Sequence, residues 1–349
     1  MTSPLLLPMD MFSAATIGDA VGTSFTHLLH QGDKSVFWTA GRAAGLMYAP
    51  IGGKYVALGD PFGLPDACVD AVREFAAFGR SAGRGSLFYH LGERYAEALR
   101  ADGWRTIQSG EEAIVRLPGF HTGGKAWLKL RTKQNKLLRD GYRCDVTRAD
   151  DGSVAWGELQ RVSDAWLGRR TEKSFSVGSF SEAAVIDRPV ASLRSPEGAL
   201  LAFVTLAEYR DADGAQHAVV DLMRYLPGSP PGTMEVLFLH ALGWAKERGY
   251  ATCSLGVAPL ANAEAMPRYV RPAVALLSKR YNFQGLRHFK SKFHPEWTKR
   301  YIAADGCPAW LALAAIGLLV HRRTRPGRTQ PSGLYAAAAT ADSTSLRDS

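Results

Sequence analysis

Three stretches of this chain combine residue types in ways that could do chemistry. In residues 279–301, seven Lys/Arg face a single acid, Glu296, and Tyr281, Phe283, Phe289, Phe293, Trp297 and Tyr301 are interleaved among them. Such interleaving serves either core packing under a charged skin or the stacking of bases and sugars beside phosphate contacts. The amide-rich turn of Asn282, Gln284 and Gly285 favours a shaped site, because a solvated face has little use for one. In residues 125–139, Lys125, Lys129, Arg131, Lys133, Lys136 and Arg139 occur with no acid before Asp140. They suit a solvated helix between two domains, or phosphate-backbone binding driven by counterion release. Asp221 and Arg224 lie in the strand-like residues 218–225, where positions three apart point to opposite faces. They form a surface ion pair, or they act together if a bend or bulge near Met223 turns them to one side.

These residues need a scaffold, and a weak internal repeat outlines it. Residues 54–59 read as a strand, Asp60-Pro61-Phe62-Gly63 as a turn and residues 66–81 as an amphipathic helix; a second strand follows at 86–90. The same order recurs in residues 218–225, the Pro/Gly-rich turn 227–232, a helix over 233–248 and a strand over 251–255. Val236, Leu237, Leu239, Ala241 and Trp244 recur at helical spacing, so this second helix should lay one face on a sheet. Further strands are expected at 36–39, 45–49, 113–117, 142–147 and 199–207. Mixed strands with few helices predict an α/β (α+β) fold, with the active crevice where strands diverge. The pattern breaks at residues 118–124. One domain is therefore expected over residues 1–120 and a second over 121–325, joined by the basic helix, with a disordered Ala/Ser/Thr-rich tail over 326–349.

Composition narrows the partners. A chain of 349 residues, 46% hydrophobic, can bury two cores. Its formal charge of +9 suits contact with phosphates in nucleic acid, in an anionic membrane, or in both. Cys68, Cys144, Cys253 and Cys307 are widely spaced with no metal-ligand pattern, which implies free thiols, no zinc site and a reducing compartment. No export signal is evident at the N-terminus. The apolar run 309–320 is shorter than the roughly 20 residues a spanning helix needs. It is either a buried C-terminal helix or one lying in a membrane interface with its basic end on headgroups.

The stretch Tyr281-Asn282-Phe283-Gln284-Gly285-Leu286-Arg287, continued by Phe289-Lys290, Lys292-Phe293-His294-Pro295 and Trp297, resembles the C-terminal signature of the bacterial aminoacyl-phosphatidylglycerol synthases. Tyr55-Val-Ala-Leu-Gly-Asp-Pro-Phe-Gly63, Ser174-Phe-Ser-Val-Gly-Ser-Phe180, Asp221-Leu-Met-Arg224 and Ser254-Leu-Gly-Val-Ala-Pro-Leu260 are similar to other motifs of that family, and together the matches span residues 34–303. The resemblance implies two tandem acetyltransferase-like (GNAT) domains with bent mixed sheets, and neither metal nor cofactor. It implies transfer of an aminoacyl group from aminoacyl-tRNA to the glycerol hydroxyl of phosphatidylglycerol, at the cytoplasmic leaflet, by a peripheral cytoplasmic enzyme. It marks Asp221 and Arg224 as catalytic, Asp221 to accept or orient the hydroxyl proton and Arg224 to hold a phosphate or the developing charge. Gly256, Tyr281, Asn282, Phe283, Gln284, Arg287, Lys290 and Lys292 become substrate-binding candidates, and Lys129, Lys133 and Lys136 candidates for tRNA. Full-length relatives carry a lipid flippase ahead of this domain; here a separate flippase is the expected partner.

Two enzymatic alternatives stay open, with a non-catalytic RNA- or membrane-binding protein as the third. One is an aminoacyl-tRNA-dependent transferase acting on a cell-wall precursor or another lipid. The other is an acyl-CoA acyltransferase, for which Arg80-Ser-Ala-Gly-Arg-Gly85 matches a pyrophosphate-binding pattern, although it closes a helix where such a loop should open one. The amino acid transferred (lysine, alanine, arginine or ornithine) and the oligomeric state are left open.

Overall fold

Strand-forming segments recur along the computed structural model, which describes residues 21–148, 155–185, 187–260 and 282–322. The first strands are β1 (Ser35–Trp38), β2 (Ala44–Ile51), β3 (Lys54–Gly63), β4 (Gly85–Gly92) and β5 (Arg105–Arg116). β6 (Arg143–Arg148), β7 (Pro189–Arg194), β8 (Leu200–Arg210), β9 (Gln216–Tyr225), β10 (Thr252–Pro259) and β11 (Glu296–Ala304) complete the set among the described residues. They form one mixed sheet in the order β1-β2-β3-β4-β11-β5-β10-β9-β8-β7-β6. Among the described residues the helices are α1 (Pro65–Ser81), α2 (Glu93–Ala101), α3 (Leu128–Arg139), α4 (Trp156–Leu167), α5 (Thr233–Glu247), α6 (Phe283–Ser291) and α7 (Ala309–Val320), besides shorter pieces.

The repeat read from the sequence is present. β3-α1-β4 and β9-α5-β10 are the two crossovers that join parallel neighbours, and the remaining neighbouring pairs of the sheet are antiparallel. α1 forms because Pro65 opens its first turn, Asp66 and Arg80 complement its two ends, and Cys68, Ala71, Val72, Phe75 and Ala76 fall on one buried face. α5 is more deeply enclosed. Leu237, Phe238, Leu239, Ala241, Leu242 and Ala245 are buried in the core beneath the second half of the sheet.

Two features depart from the sequence reading. Asp60-Pro61-Phe62-Gly63 is not a turn but the end of β3. The cut at residue 120 also does not divide the sheet cleanly. β11, from the segment assigned to the second domain, inserts between β4 and β5, and Ala312, Ile316 and Leu319 of α7 pack in the core of the first half. The expected tail, 326–349, lies outside the described residues.

Where β11 enters, the sheet buries a charge network. Arg300 of β11 donates from Nε to Glu112 Oε2 of β5 at 2.9 Å and from Nη1 to Asp60 Oδ2 of β3 at 2.5 Å. Ser254 of β10 donates to Glu112 Oε1 at 2.5 Å, and the Gly92 amide of β4 donates to Asp60 Oδ1 at 2.5 Å. Burial alone would raise the Glu112 carboxyl, but Arg300 and the Ser254 hydroxyl bond together outweigh it and hold the group below the usual carboxylate range. Removing the cation from such a network strands the buried Glu112 carboxylate and the partly buried Asp60. Arg300→Met should therefore lose about 3–5 kcal/mol of stability in urea unfolding, and Arg300→Met/Glu112→Gln should recover part of that loss.

Candidate active site

β9 and β10 pair as parallel neighbours only from His217–Val219 against Thr252–Ser254, then part. Asp221 and Gly256 each stand two residues beyond the last pair, at matching levels on the two lips of the opening. A β-bulge lies on β9 at this point. Val204 opposes Met223 and Leu206 opposes Val220, so three steps of β9 face two of β8, and the Leu222 amide turns to the Thr205 hydroxyl at 3.1 Å. Val220 and Met223 point into the α5 core, whereas Leu222 points into the core under α4. The extra residue brings Asp221 and Arg224 to that second face, as a joint role requires.

Neither residue is a surface ion-pair partner. The Asp221 side chain is only 5% exposed and is held by Arg188 Nη1 at 2.7 Å and His27 Nε2 at 3.3 Å. Burial would raise its carboxyl, but His27 and Arg188 together outweigh burial and hold it below the usual range. Arg224 stacks its guanidinium on Trp166 of α4, 3.9 Å from the ring centroid, and gives Nη2 to both oxygens of Glu172 at 3.0 Å. Two buried nitrogens here, His27 Nδ1 and Arg224 Nε, have no hydrogen-bond partner. Because native interiors seldom leave such groups unsatisfied, they mark places for a ligand atom or water. A carboxylate can only accept, so His27 Nε2 carries the proton towards Asp221, and in the neutral imidazole Nδ1 then presents a lone pair.

The loop 172–178 shapes this face. Gly178 packs so closely that a Cβ there would fall 2.1 Å from Asp221 Oδ1. Asp33 Oδ2 accepts the Phe175 amide at 2.8 Å, and Gln31 Nε2 donates to the Val177 carbonyl at 2.9 Å, so the segment before β1 braces the loop. His27, Arg188, Glu172 and Trp166 were not picked out from the sequence. They come from segments far apart in the chain, and only the fold brings them together.

The second basic stretch is distributed differently from the sequence expectation. Asn282 caps α6, its Oδ1 accepting the Gly285 amide at 2.7 Å, so the amide-rich turn starts a helix. Gln284 is exposed, Phe283 is half-buried, and Tyr281 lies outside the described residues. Arg287 bonds Glu111 at 2.9 Å and stacks on Trp297. Lys292 and Lys133 of α3 converge on one oxygen of Glu235, at 3.0 and 2.6 Å. The two basic segments, one carrying substrate-binding candidates and the other tRNA candidates, thus meet at the first turn of α5. Lys129 and Lys136 stay exposed on α3.

Lys290 is buried beside Gly256 and donates to the Val257 carbonyl at 2.9 Å. Gly256 has φ +80°, a conformation that favours glycine, and a Cβ there would come within 3.5 Å of the ammonium. Burial pushes the Lys290 amine down to about 7, against the pull of Glu112. The unfolded chain therefore binds a proton that the folded chain does not between about pH 7 and 10.5, and the native state weakens as pH falls through that window. Lys290→Met removes this penalty. Its stability relative to wild type in urea melts should be more favourable near pH 7 than at about pH 9.5.

Residues 15–304 match the family described as "Phosphatidylglycerol lysyltransferase, C-terminal". The chain is 34% identical over 298 residues to a phosphatidylglycerol lysyltransferase of Bacillus subtilis (strain 168), covering 83% of this chain and 34% of that one. To the protein of that name from Staphylococcus aureus (strain COL) it is 33% identical over 287 residues, covering 80% of this chain and 34% of the other. It spans about a third of the length of these curated relatives. The structure of L-PGS from Bacillus licheniformis superposes with a TM-score of 0.75 at 33% identity, covering 86% of this chain and 94% of that one. The motifs, the fold and these matches agree, and the chain belongs to the family of phosphatidylglycerol lysyltransferase C-terminal domains.

Proposed function

We propose that this chain transfers an aminoacyl group from aminoacyl-tRNA to the glycerol hydroxyl of phosphatidylglycerol. The observation that carries the reading is the buried Asp221–His27 pair beside Arg224, with one imidazole nitrogen unpartnered, where β9 and β10 part. The names of the relatives supply the acceptor lipid. The reaction exchanges one ester for another, so positioning, a proton acceptor and oxyanion stabilisation suffice. The glycerol oxygen bonds to the acyl carbon while His27 Nδ1 takes its proton. The tetrahedral intermediate then collapses, the bond to the ribose oxygen breaks, and that oxygen receives the proton back. Asp221 orients the imidazole and stays ionised, which its depressed pKa favours over a role as base. Arg224 Nε faces the developing negative charge. Both nitrogens are closed to solvent, so substrate entry requires the segments around them to yield.

For the donor, Lys129 and Lys136 form an exposed basic face on α3, next to the Lys133–Glu235–Lys292 cluster. The acyl-CoA alternative fares worse. A pyrophosphate is best held at a helix N-terminus, yet α1 and α5 carry Asp66 and Glu235 in their first turns. Arg84 of the Arg-x-x-Gly-x-Gly match is turned away, donating to the Gly52 carbonyl and stacking on Tyr55. Among the described residues no helix is long and apolar enough to cross a membrane. The proposed location is peripheral, on the cytoplasmic leaflet, with a separate flippase as partner for moving the product.

Incubation with radiolabelled aminoacyl-tRNAs and phosphatidylglycerol vesicles, followed by lipid chromatography, should yield a labelled lipid; absence of product with every amino acid would overturn the reading. Asp221→Asn and His27→Gln should each lower turnover on the order of 100-fold or more with the fold retained. Gly178→Ala, which displaces Asp221 without touching its chemistry, should lower it at least about tenfold. Lys129→Ala/Lys136→Ala should flatten the salt dependence of tRNA binding by about 0.7–0.9 in log–log slope per lost contact, with turnover at saturating tRNA little changed.

A further inference from the structure

α7 is apolar on all sides but buries only one of them. Ala312, Ile316 and Leu319 face the first-half core, while Trp310, Leu311 and Leu318 are 56%, 39% and 63% exposed. Trp310, Ala314 and Leu318 are spaced four apart and make one outward stripe. Its 12 residues make the helix about 18 Å long at 1.5 Å per residue, too short to span a bilayer but suited to lying along one. The C-terminal end of the stripe is basic. His321 and Arg322 close the helix, and the sequence continues with Arg323, Arg325 and Arg328. Ser174 clamps this end, its hydroxyl donating to the carbonyls of Leu319 at 3.0 Å and Arg322 at 2.9 Å and its amide to that of Val320 at 3.0 Å. The Leu319 and Val320 carbonyls are the negative pole of the helix, and satisfying them internally removes a repulsion toward phosphates. Exposed Arg169 and Arg170 precede the same loop, Arg170 stacking on Trp166 under Arg224.

We propose that the exposed face of α7 is a docking surface for an anionic phospholipid bilayer, with the helix lying in the interface and Arg322, Arg169 and Arg170 meeting the headgroups. The proposal rests on the lipid-acceptor reading above. Charge complementarity at the basic end selects the bilayer over another apolar protein face. Position adds to it: the loop clamped to α7 by Ser174 is the one that carries Glu172 to Arg224 and Gly178 to Asp221. A bilayer seated on α7 thus lies along the same edge as the candidate site.

The test is flotation of the full-length chain with vesicles of phosphatidylcholine alone and with one-quarter phosphatidylglycerol, beside Trp310→Ser/Leu318→Asp. Both substitutions lie on the solvent side of α7, and circular dichroism confirms that the variant is folded. Wild type should float with the anionic vesicles, and the variant's partitioning should fall roughly tenfold or more. Arg169→Gln/Arg170→Gln should weaken flotation with anionic vesicles only. Equal flotation of wild type and the Trp310/Leu318 variant would overturn the proposal. So would a wild type that does not float, as when the chain's own residues after 322 cover the stripe, or a wild-type dimer that the variant breaks without any change in flotation. Transfer to phosphatidylglycerol in detergent micelles separates the two readings. A variant active in micelles but not on vesicles supports docking, whereas flotation lost in the variant without lipid product from wild type leaves docking standing and sinks the acceptor assignment.

Discussion

The ion network of Glu112, Arg300 and Asp60 sets the terms for the rest of the molecule. It joins β3, β5 and β11 through side chains, and Gly92 and Ser254 extend it to β4 and β10. Five neighbouring strands across the middle of the sheet therefore share one buried charge cluster. Such a cluster is weak evidence for net stability, because desolvation offsets most of the attraction. Its effect is on specificity: a strand in the β11 position that lacked Arg300 would leave the buried Glu112 and the partly buried Asp60 without their cation. Register and identity of the inserted strand are thereby fixed together, and the two halves of the sheet become one surface.

On that surface the two β-α-β crossovers each create a place where parallel strands separate. The halves use these places differently. Beyond Leu58 and Tyr89, the last paired residues of β3 and β4, Asp60 stands two residues on and is consumed by Arg300. Beyond Val219 and Ser254, Asp221 stands at the matching point of the second copy, but its partners are His27 and Arg188, and unsatisfied nitrogens remain beside it. One aspartate closes a structural knot, and its counterpart sits beside polar atoms that still lack a partner. The repeat therefore accounts for where the candidate site lies, and the departures from the repeat account for its polarity.

The strands, the two crossovers and the basic helix were legible because they rest on local periodicity and on Pro and Gly punctuation. β11 was not. Residues 296–304 carry Glu296, Lys299 and Arg300 amid aromatics, and they read as part of a charged patch because the acids that neutralise Arg300 are remote in sequence. The same limit hid His27 from the site. Asp221 and Arg224 could be named, with the condition that a bulge must turn them to one face, but no local signal reports that a histidine before β1 reaches Asp221. The basic stretches were over-read for a related reason. Sequence shows each cation and not the acid opposite, so Lys133, Lys292 and Arg287 looked free although Glu235 and Glu111 hold them.

The loop 172–178 draws these strands of evidence together. Phe175 within it has φ +63°, a conformation that strains a bulky side chain by about 1–3 kcal/mol. What offsets the strain is visible: the Phe175 ring is buried in the first-half core, and its amide is held by Asp33. Pinned there, the loop has Ser174 on the end of α7, Glu172 on Arg224 and Gly178 against Asp221. A relaxed backbone at Phe175 would swing at least one of these contacts out of place, since they lie on both sides of it within a few residues. The strain is thus the local consequence of making one short segment serve the core, the apolar helix and the candidate catalytic pair at once.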